Sequence, residues 1–340
     1  MYFWYILKKY LKNFLTVLFG LAFLFVIVDF SFNFQKLPNS SNLQVLYAFY
    51  IFIYSIFVIY PLAVIFSFLI TLNGMIKFNE LVSFYSLGFS PGKLIKPIIL
   101  SAFFIFVLMS AAQTTKLSYA NQYAQAIKNN MNLKNKNLFL KFEDNIVYIK
   151  ELEPILKRAK NITVFKIKNG SLYKIIHADE AVFKDKKWIA QKAEIFTITS
   201  EKWMKKTQNI EFLVNFKPKI LSNLKTLDNI SFYDAYLAVK YFKELDLNKI
   251  MSIVFFKIFT PLCMILLIWL IFVTAPIHVR IANVAFFMVK SVTFSILIWA
   301  SELLLYKFTK QGVLPYWVLA IPFFVMLIID IYILRRRNEF

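Results

Sequence analysis

The stretch ITVFKIKNGSLYKII, residues 162–176, decides the class of the central domain, because its polar and apolar residues alternate. Alternation with a period of two indicates β-strands, and Asn169-Gly170 in its middle indicates a tight hairpin turn. Similar strand patterns lie at residues 138–142, 146–150, 188–199 and 211–216. Several short strands separated by turns predict an all-β domain, either a sandwich or a jellyroll.

Six apolar segments flank this block, three before it and three after it. Each is long enough to cross a hydrocarbon core of about 30 Å as a helix. They are residues 11–34, 46–72, 94–112, 250–275, 281–306 and 313–334. Since 59% of the residues are hydrophobic, the chain is predicted to be an integral membrane protein.

Three domains follow from this order. Residues 1–113 would hold spans one to three, with a short helix near residues 78–90, and residues 249–340 would hold spans four to six. Residues 114–248 would form the β-domain and a return helix, which the helical spacing of apolar residues predicts at 228–245. The predicted fold class is an α-helical membrane protein with six transmembrane helices and an inserted all-β, jellyroll-like domain.

Basic residues in the short loops predict the orientation. Cytoplasmic loops concentrate Lys and Arg, and long domains cross the membrane largely regardless of charge. One side carries Lys8, Lys9, Lys12, Lys77, Lys93, Lys96, Arg280, Arg335, Arg336 and Arg337. The other side carries only Lys36, Lys307 and Lys310. Both termini are therefore predicted to be cytoplasmic, with the β-domain outside the inner membrane.

The net charge of +21 has two interpretations, both of which remain open. It reflects either a lysine-rich composition or an affinity of the juxtamembrane residues for anionic lipid head groups in the membrane. Nucleic acid is not an expected partner, because the lysines are dispersed and form no basic helix. Asp330, close to the three final arginines, is expected to be a solvated charge at the membrane surface.

Catalytic and metal sites are not predicted. The β-domain has one histidine, His177, and the only cysteine of the chain, Cys263, lies in an apolar span. No nucleophile elbow and no Walker A sequence occur. The chain is expected to hold no cofactor and not to be an enzyme. If ATP drives it, a separate subunit must bind the ATP and Mg²⁺.

The loop between the second and third spans, KFNELVSFYSLGFSPGK at residues 77–93, predicts a short amphipathic helix. We expect Asn79 to cap it, Glu80 to complement its dipole and Gly88 to end it, with Pro91 beyond. One apolar face would be formed by Phe78, Leu81, Val82 and Tyr85. Two interpretations are open: the helix only joins two spans at the membrane surface, or it docks into a cytoplasmic ATPase.

This loop resembles the lipopolysaccharide export permeases of the LptF/LptG family. In that family a Glu-hydrophobic stretch leads to Gly-Phe-Ser/Thr, and here Glu80-Leu81-Val82 leads to Gly88-Phe89-Ser90. The resemblance continues in family order through FEDNIVYI at residues 142–149, a Tyr-rich helix at 236–245 and KIFTPL at 257–262. The last segment is more similar to LptG than to LptF.

The resemblance implies a permease half of an ABC transporter in the inner membrane of a Gram-negative cell. The implied partners are a second permease of the family, in a heterodimer, and a cytoplasmic ABC ATPase dimer. Lipopolysaccharide would leave the inner membrane and reach LptC-like and LptA-like periplasmic proteins through the periplasmic β-domain. The alternative function is a membrane-anchored scaffold or sensor whose β-domain binds a partner protein.

Two groups of candidate site residues follow from the resemblance. The ATPase-coupling candidates are Glu80, Leu81, Phe84, Tyr85, Gly88 and Phe89. The lipid-binding candidates are Asp29, Lys36 and Lys257. The family has a lysine three residues before the aspartate of the first span, and Val26 occupies that position here, so Lys36 is a candidate substitute. Asp29 as an interface residue and Lys257 as a snorkelling residue remain alternatives.

Overall fold

The computed structural model describes residues 2–128, 135–142, 145–153, 158–168, 171–184, 187–199, 202–213, 230–241, 247–278 and 283–338. The chain divides into two compact units. One consists of Met1–Ala124 with Asn248–Phe340, and the other of Gln125–Leu247. The first unit is helical and the second contains the β-sheet.

Six helices of the described residues are long and apolar enough to span a membrane, which confirms the predicted number of spans. The helices in chain order are α1 Tyr2–Asn33, α2 Ser41–Lys77, α3 Glu80–Ser86, α4 Pro91–Ala112, α5 Ala120–Lys128, α6 Phe232–Tyr241, α7 Leu247–Thr274, α8 Val284–Lys310 and α9 Ile321–Asn338. A 3₁₀ turn at Tyr316–Ala320 leads into α9 and extends the sixth span.

A single stripe of α1 packs against the rest of the helical unit. Its buried residues recur at every fourth position, and they are Ile6, Tyr10, Phe14, Leu18 and Ala22. The opposite side exposes apolar residues such as Phe23 and Leu24, which suit contact with lipid. The helix begins at Tyr2, nine residues before the predicted start of the apolar span at residue 11. Lys8, Lys9 and Lys12 lie within the helix, because long basic side chains do not interrupt a helix.

Polar contacts supplement the packing between α1 and α2. The Tyr10 hydroxyl donates to the Val64 carbonyl oxygen at 3.2 Å, and the Asn13 amide donates to the Thr71 hydroxyl at 2.8 Å. In hydrocarbon a polar group has no water partner, so such groups need a partner inside the protein. These bonds therefore favour one register of α1 along α2.

The last three spans are joined by aromatic and polar contacts. The rings of Phe256 and Tyr306 stack with centroids 4.4 Å apart, and Thr260 donates a hydrogen bond to Glu302 at 3.2 Å. At the start of α7, the Asn248 amide donates to the carbonyl oxygens of Thr309 and Leu314.

The expectation of a solvated Asp330 was wrong, because this side chain is buried in the helical unit. Asp330 lies on the side of α9 that packs against the protein, although three arginines follow it in the chain.

In the part of the second unit that the structure describes, the strands form a six-stranded antiparallel sheet, which confirms the inserted all-β domain. The strands are β1 Asn135–Phe142, β2 Asn145–Glu153, β3 Arg158–Lys168, β4 Ser171–Lys184, β5 Lys187–Thr199 and β6 Lys202–Phe212, and each pairs with the next. One face is buried through alternate residues, for example Ile162 and Val164 on β3. Lys168 pairs with Ser171 across the predicted hairpin, whose turn residues Asn169 and Gly170 lie outside the described residues.

The strand predicted at residues 211–216 was misplaced. The strand there is β6, which ends at Phe212, and Leu213 has a positive φ of 51°. Residues 214–216 lie outside the described part of the chain. The sequence KWMKKTQN at the start of β6 lacks an alternating pattern. Among the described strands β6 is an outermost one, and lysines are well tolerated at a sheet edge.

The return helix is confirmed by α6, within the predicted range of 228–245. Ser231 caps this helix, since its hydroxyl accepts a hydrogen bond from the Asp234 N–H at 3.1 Å. The same hydroxyl donates to the Asp234 carboxylate at 3.0 Å. Ser231 and Asp234 are therefore joined by one N-cap hydrogen bond and one bond between their side chains. Residues 242–246 lie outside the described part of the chain.

The packing stripe of α1 can be tested with one substitution at two positions. Leu18 is 3% exposed and Leu24 is 59% exposed. We expect Leu18→Ala to destabilise the chain by about 2 kcal/mol through the cavity it leaves, and Leu24→Ala to have little effect, since lipid replaces the lost contacts. The measurement is thermal aggregation of the isolated chain in detergent micelles. Equal losses for both variants would contradict this packing face.

Candidate functional site

The helix α3 begins without the predicted side-chain cap. Asn79 precedes it, as predicted, but makes no side-chain capping hydrogen bond. Its backbone is left-handed, with φ 56° and ψ 18°, whereas a capping residue is normally extended. Asn tolerates the left-handed region better than most residues, so Asn79 serves as the sharp turn from α2 into α3. The prediction of a capping side chain was therefore wrong.

The end of α3 has the geometry of a Schellman motif. Gly88 has a φ of 80°, and its N–H donates to the Tyr85 carbonyl oxygen at 3.0 Å. The Phe89 N–H donates to the Phe84 carbonyl oxygen at 3.1 Å. The rings of Phe84 and Phe89 meet edge to face at 5.8 Å, the apolar contact that accompanies this motif. The prediction that Gly88 ends the helix is confirmed, and Pro91 begins α4.

One side of α3 packs onto the helical core. Leu81 is buried in the core, and Phe84, Tyr85 and Phe89 pack against it while partly exposed. The predicted apolar face was wrong in one member, Phe78. This residue follows the last turn of α2, before α3 begins, and 70% of its surface is exposed. The outward surface of α3 consists of the exposed residues Ser83 and Ser86 and of Leu87, which follows the helix and is 73% exposed.

The Glu80 carboxylate is bound to α1. The Lys9 ammonium lies 2.6 Å from Oε1 and 2.7 Å from Oε2, and the Tyr5 hydroxyl donates to Oε1 at 3.0 Å. The Lys9 and Glu80 side chains are only 24% and 20% exposed. Partial burial reduces the screening of this ion pair by salt. Glu80 thus binds residues 71 and 75 positions away in the chain.

A second contact joins α1 to the other end of the loop. The rings of Tyr2 and Phe89 lie with centroids 4.5 Å apart. The first two turns of α1 therefore touch both the first residue of α3 and the residue that follows its terminal glycine. These two contacts, together with Leu81, fix α3 on the helical unit.

An open cleft lies beside α3. It has a volume of about 410 Å³ and lies between α3, the start of α4 and the end of α7. The lining residues are mostly apolar, and they are Val82, Tyr85, Ser86, Pro91, Phe272, Val273, Ala275 and Ile277. A cleft of this size has room for one or two side chains.

The lipid-binding candidates are distributed over two parts of the helical unit. Asp29, near the end of α1, accepts a hydrogen bond from the Tyr47 hydroxyl at 2.6 Å. Lys36 is exposed in a 3₁₀ turn, Phe34–Lys36, just after α1. Lys257 lies on α7, ten residues after its start, and is partly buried. Asp29 and Lys36 are thus near neighbours in the chain, while Lys257 belongs to a different helix.

The residues that bind Asp29 and Glu80 were not identified from the sequence. Asp29 and Glu80 are the only acidic residues in positions 1–142, in a region rich in lysine. A partly buried carboxylate in such a region needs a partner. The scarcity of acidic residues therefore indicated that Asp29 and Glu80 each bind another side chain. The spacing of Tyr5 and Lys9, one helical turn apart, was a second signal.

Comparison with known families agrees with this architecture. A family model described as "Lipopolysaccharide export system permease LptF/LptG" matches residues 4–336. No curated protein matches the chain significantly. The family model covers LptF and LptG together, so the greater similarity of residues 257–262 to LptG stays a prediction.

The terminal glycine of α3 provides a local test. At Gly88 an added Cβ meets no atom within 4 Å, so the cost of Gly88→Ala comes from the left-handed backbone alone, about 1–2 kcal/mol. Gly92→Ala is the control, because its Cβ is equally free and its φ is not positive. We expect hydrogen exchange at residues 88 and 89 to accelerate about 5–30-fold in Gly88→Ala only. Equal exchange in the two variants would refute the role of the glycine.

Proposed function

Because the chain belongs to the LptF/LptG family of lipopolysaccharide export permeases, we propose that it is one permease half of an ATP-driven lipopolysaccharide extractor. The observation that carries this proposal is the family match over residues 4–336. The six spans and the inserted β-sheet support it independently. A second permease of the family would complete the pathway through the membrane.

The energetics of the substrate require a motor. Each acyl CH₂ buried in the bilayer contributes about 0.8 kcal/mol, so a lipid with several acyl chains does not leave spontaneously. The sequence contains no Walker A motif, and we therefore assign ATP and Mg²⁺ to a dimer of separate ATPase subunits. The basic loops predict that both termini and α3 lie on the cytoplasmic side, where such a subunit would bind.

We assign the ATPase contact to α3 and divide its candidate residues by where they point. Leu81, Phe84 and Phe89 hold the helix on the core, and Gly88 ends it. The outward surface near Leu87 and the cleft lined by Val82 and Tyr85 are the surfaces available to another subunit. In this assignment the inward residues position α3, and the outward ones bind the ATPase.

The lipid contacts are assigned to the opposite side of the membrane. Lys36 is exposed at the end of α1, which suits an ion pair with a lipid phosphate. Asp29 is engaged by Tyr47, so we assign it the task of fixing the end of α1 against α2. Lys257 on α7 is a second candidate for a phosphate contact. The β-domain would receive the lipid in the periplasm and pass it to LptC-like and LptA-like proteins.

Two neighbouring residues of β3 test whether the β-domain handles lipid. Val164 is buried on the inner face of the sheet and Phe165 lies on the other face, since successive strand residues alternate. With photo-crosslinking amino acids at each position, we expect lipopolysaccharide capture at 164 and little at 165. Capture of protein alone at both positions would contradict transport through this domain and favour a scaffold or sensor.

A further inference from the structure

We propose that Lys9 and Tyr5 are positioning residues for Glu80, and that their contact transmits the motion of α3 into α1. This inference rests on the proposed function, in which an ATPase displaces α3. Glu80 then has a different role from the direct ATPase contact that its place among the coupling candidates suggested. The carboxylate acts within this chain, as the attachment point of α3 to α1, and the ATPase binds the outward surface of α3.

The length of α1 puts the contact in the right place. An α-helix rises about 1.5 Å per residue, so the 32 residues of α1 extend about 48 Å, more than a hydrocarbon core of about 30 Å. The surplus turns, which contain Tyr2, Tyr5 and Lys9, extend beyond the apolar region and lie beside α3. The basic residues Lys8, Lys9 and Lys12 suit such a position at the membrane surface.

The contact constrains α3 more than a single ion pair does. Lys9 reaches both carboxylate oxygens and Tyr5 adds a third donor, so Glu80 is fixed in orientation as well as position. Tyr2 holds Phe89 at the other end of the loop. With two attachment points, α3 cannot tilt without moving the first turns of α1. The backbone of α2 also approaches closely, since a Cβ on Gly74 would lie 3.6 Å from Lys9 Nζ.

The helix α1 connects this contact with the far end of the bundle. It is continuous from Tyr2 to Asn33, and the twenty residues between Lys9 and Asp29 correspond to about 30 Å, the thickness of the hydrocarbon core. At that end Asp29 binds Tyr47 of α2. A displacement of α3 is thereby carried by a rigid rod across the membrane to the residues assigned to the lipid head group.

A charge-swap experiment tests the transmission. The chain is reconstituted with its partner permease and ATPase in proteoliposomes, as wild type, Lys9→Glu, Lys9→Met, Glu80→Lys and the double variant K9E/E80K. The readouts are ATPase co-purification, ATP hydrolysis and lipopolysaccharide released per ATP. Lys8→Glu is the matched control, since Lys8 carries the same charge and is exposed on the neighbouring position of α1.

We expect both changes at Lys9 to lower lipopolysaccharide release per ATP about tenfold, a typical coupling free energy between sites, while co-purification of the ATPase persists. The double variant restores most of the release, and Lys8→Glu behaves as wild type. Two results would overturn the inference. One is wild-type lipopolysaccharide release by Lys9→Glu. The other is loss of ATPase co-purification in Glu80→Lys together with release by the double variant that is no higher than that of Glu80→Lys. Unfolding of both Lys9 variants would reduce the contact to a structural one. Absence of ATP-dependent release by the wild-type complex would instead overturn the proposed function.

Discussion

The ion pair between Lys9 and Glu80 is the interaction on which the position of α3 depends. A seven-residue helix is too short to be stable alone, because isolated helices below about 12–15 residues are marginal in water. Its conformation is imposed by Leu81 in the core, by the glycine that ends it, and by the binding of Glu80 to α1. Contacts with residues distant in the chain therefore stabilise α3, which would not be a stable helix by itself.

Local patterns predicted most of the fold. The apolar runs gave the six spans, the alternation around residues 162–176 gave β3 and β4, and the Gly88–Pro91 spacing gave the end of α3. Each of these features depends on neighbouring residues. The bonds of Glu80 to Lys9 and of Asp29 to Tyr47 join residues on different helices, and no periodicity encodes them. The prediction of β6 was wrong for a related reason, since its lysines reflect its place as the outermost of the described strands.

The helical unit and the β unit are stabilised in different ways. In the helical unit, lipid is as apolar as the side chains, so packing stripes and a few polar contacts hold the helices together. In the β unit, alternate strand residues bury one apolar face of the sheet. A family of lipopolysaccharide export permeases needs both, because the acyl chains of the substrate must leave one apolar environment for another. In the proposed function the chain supplies half of the path, and the energy enters through a contact with an ATPase subunit.

The central claim is that this energy enters through the outward surface of α3. Leu87 and Val313 are both exposed apolar residues, 73% and 67%, and the distribution of basic residues predicts that they lie on opposite sides of the membrane. The most direct measurement is photo-crosslinking from each position in membranes that contain the assembled transporter. The account predicts that a crosslinker at 87 captures the ATPase subunit and that one at 313 does not. Capture of the ATPase at 313, or at neither position, would contradict it.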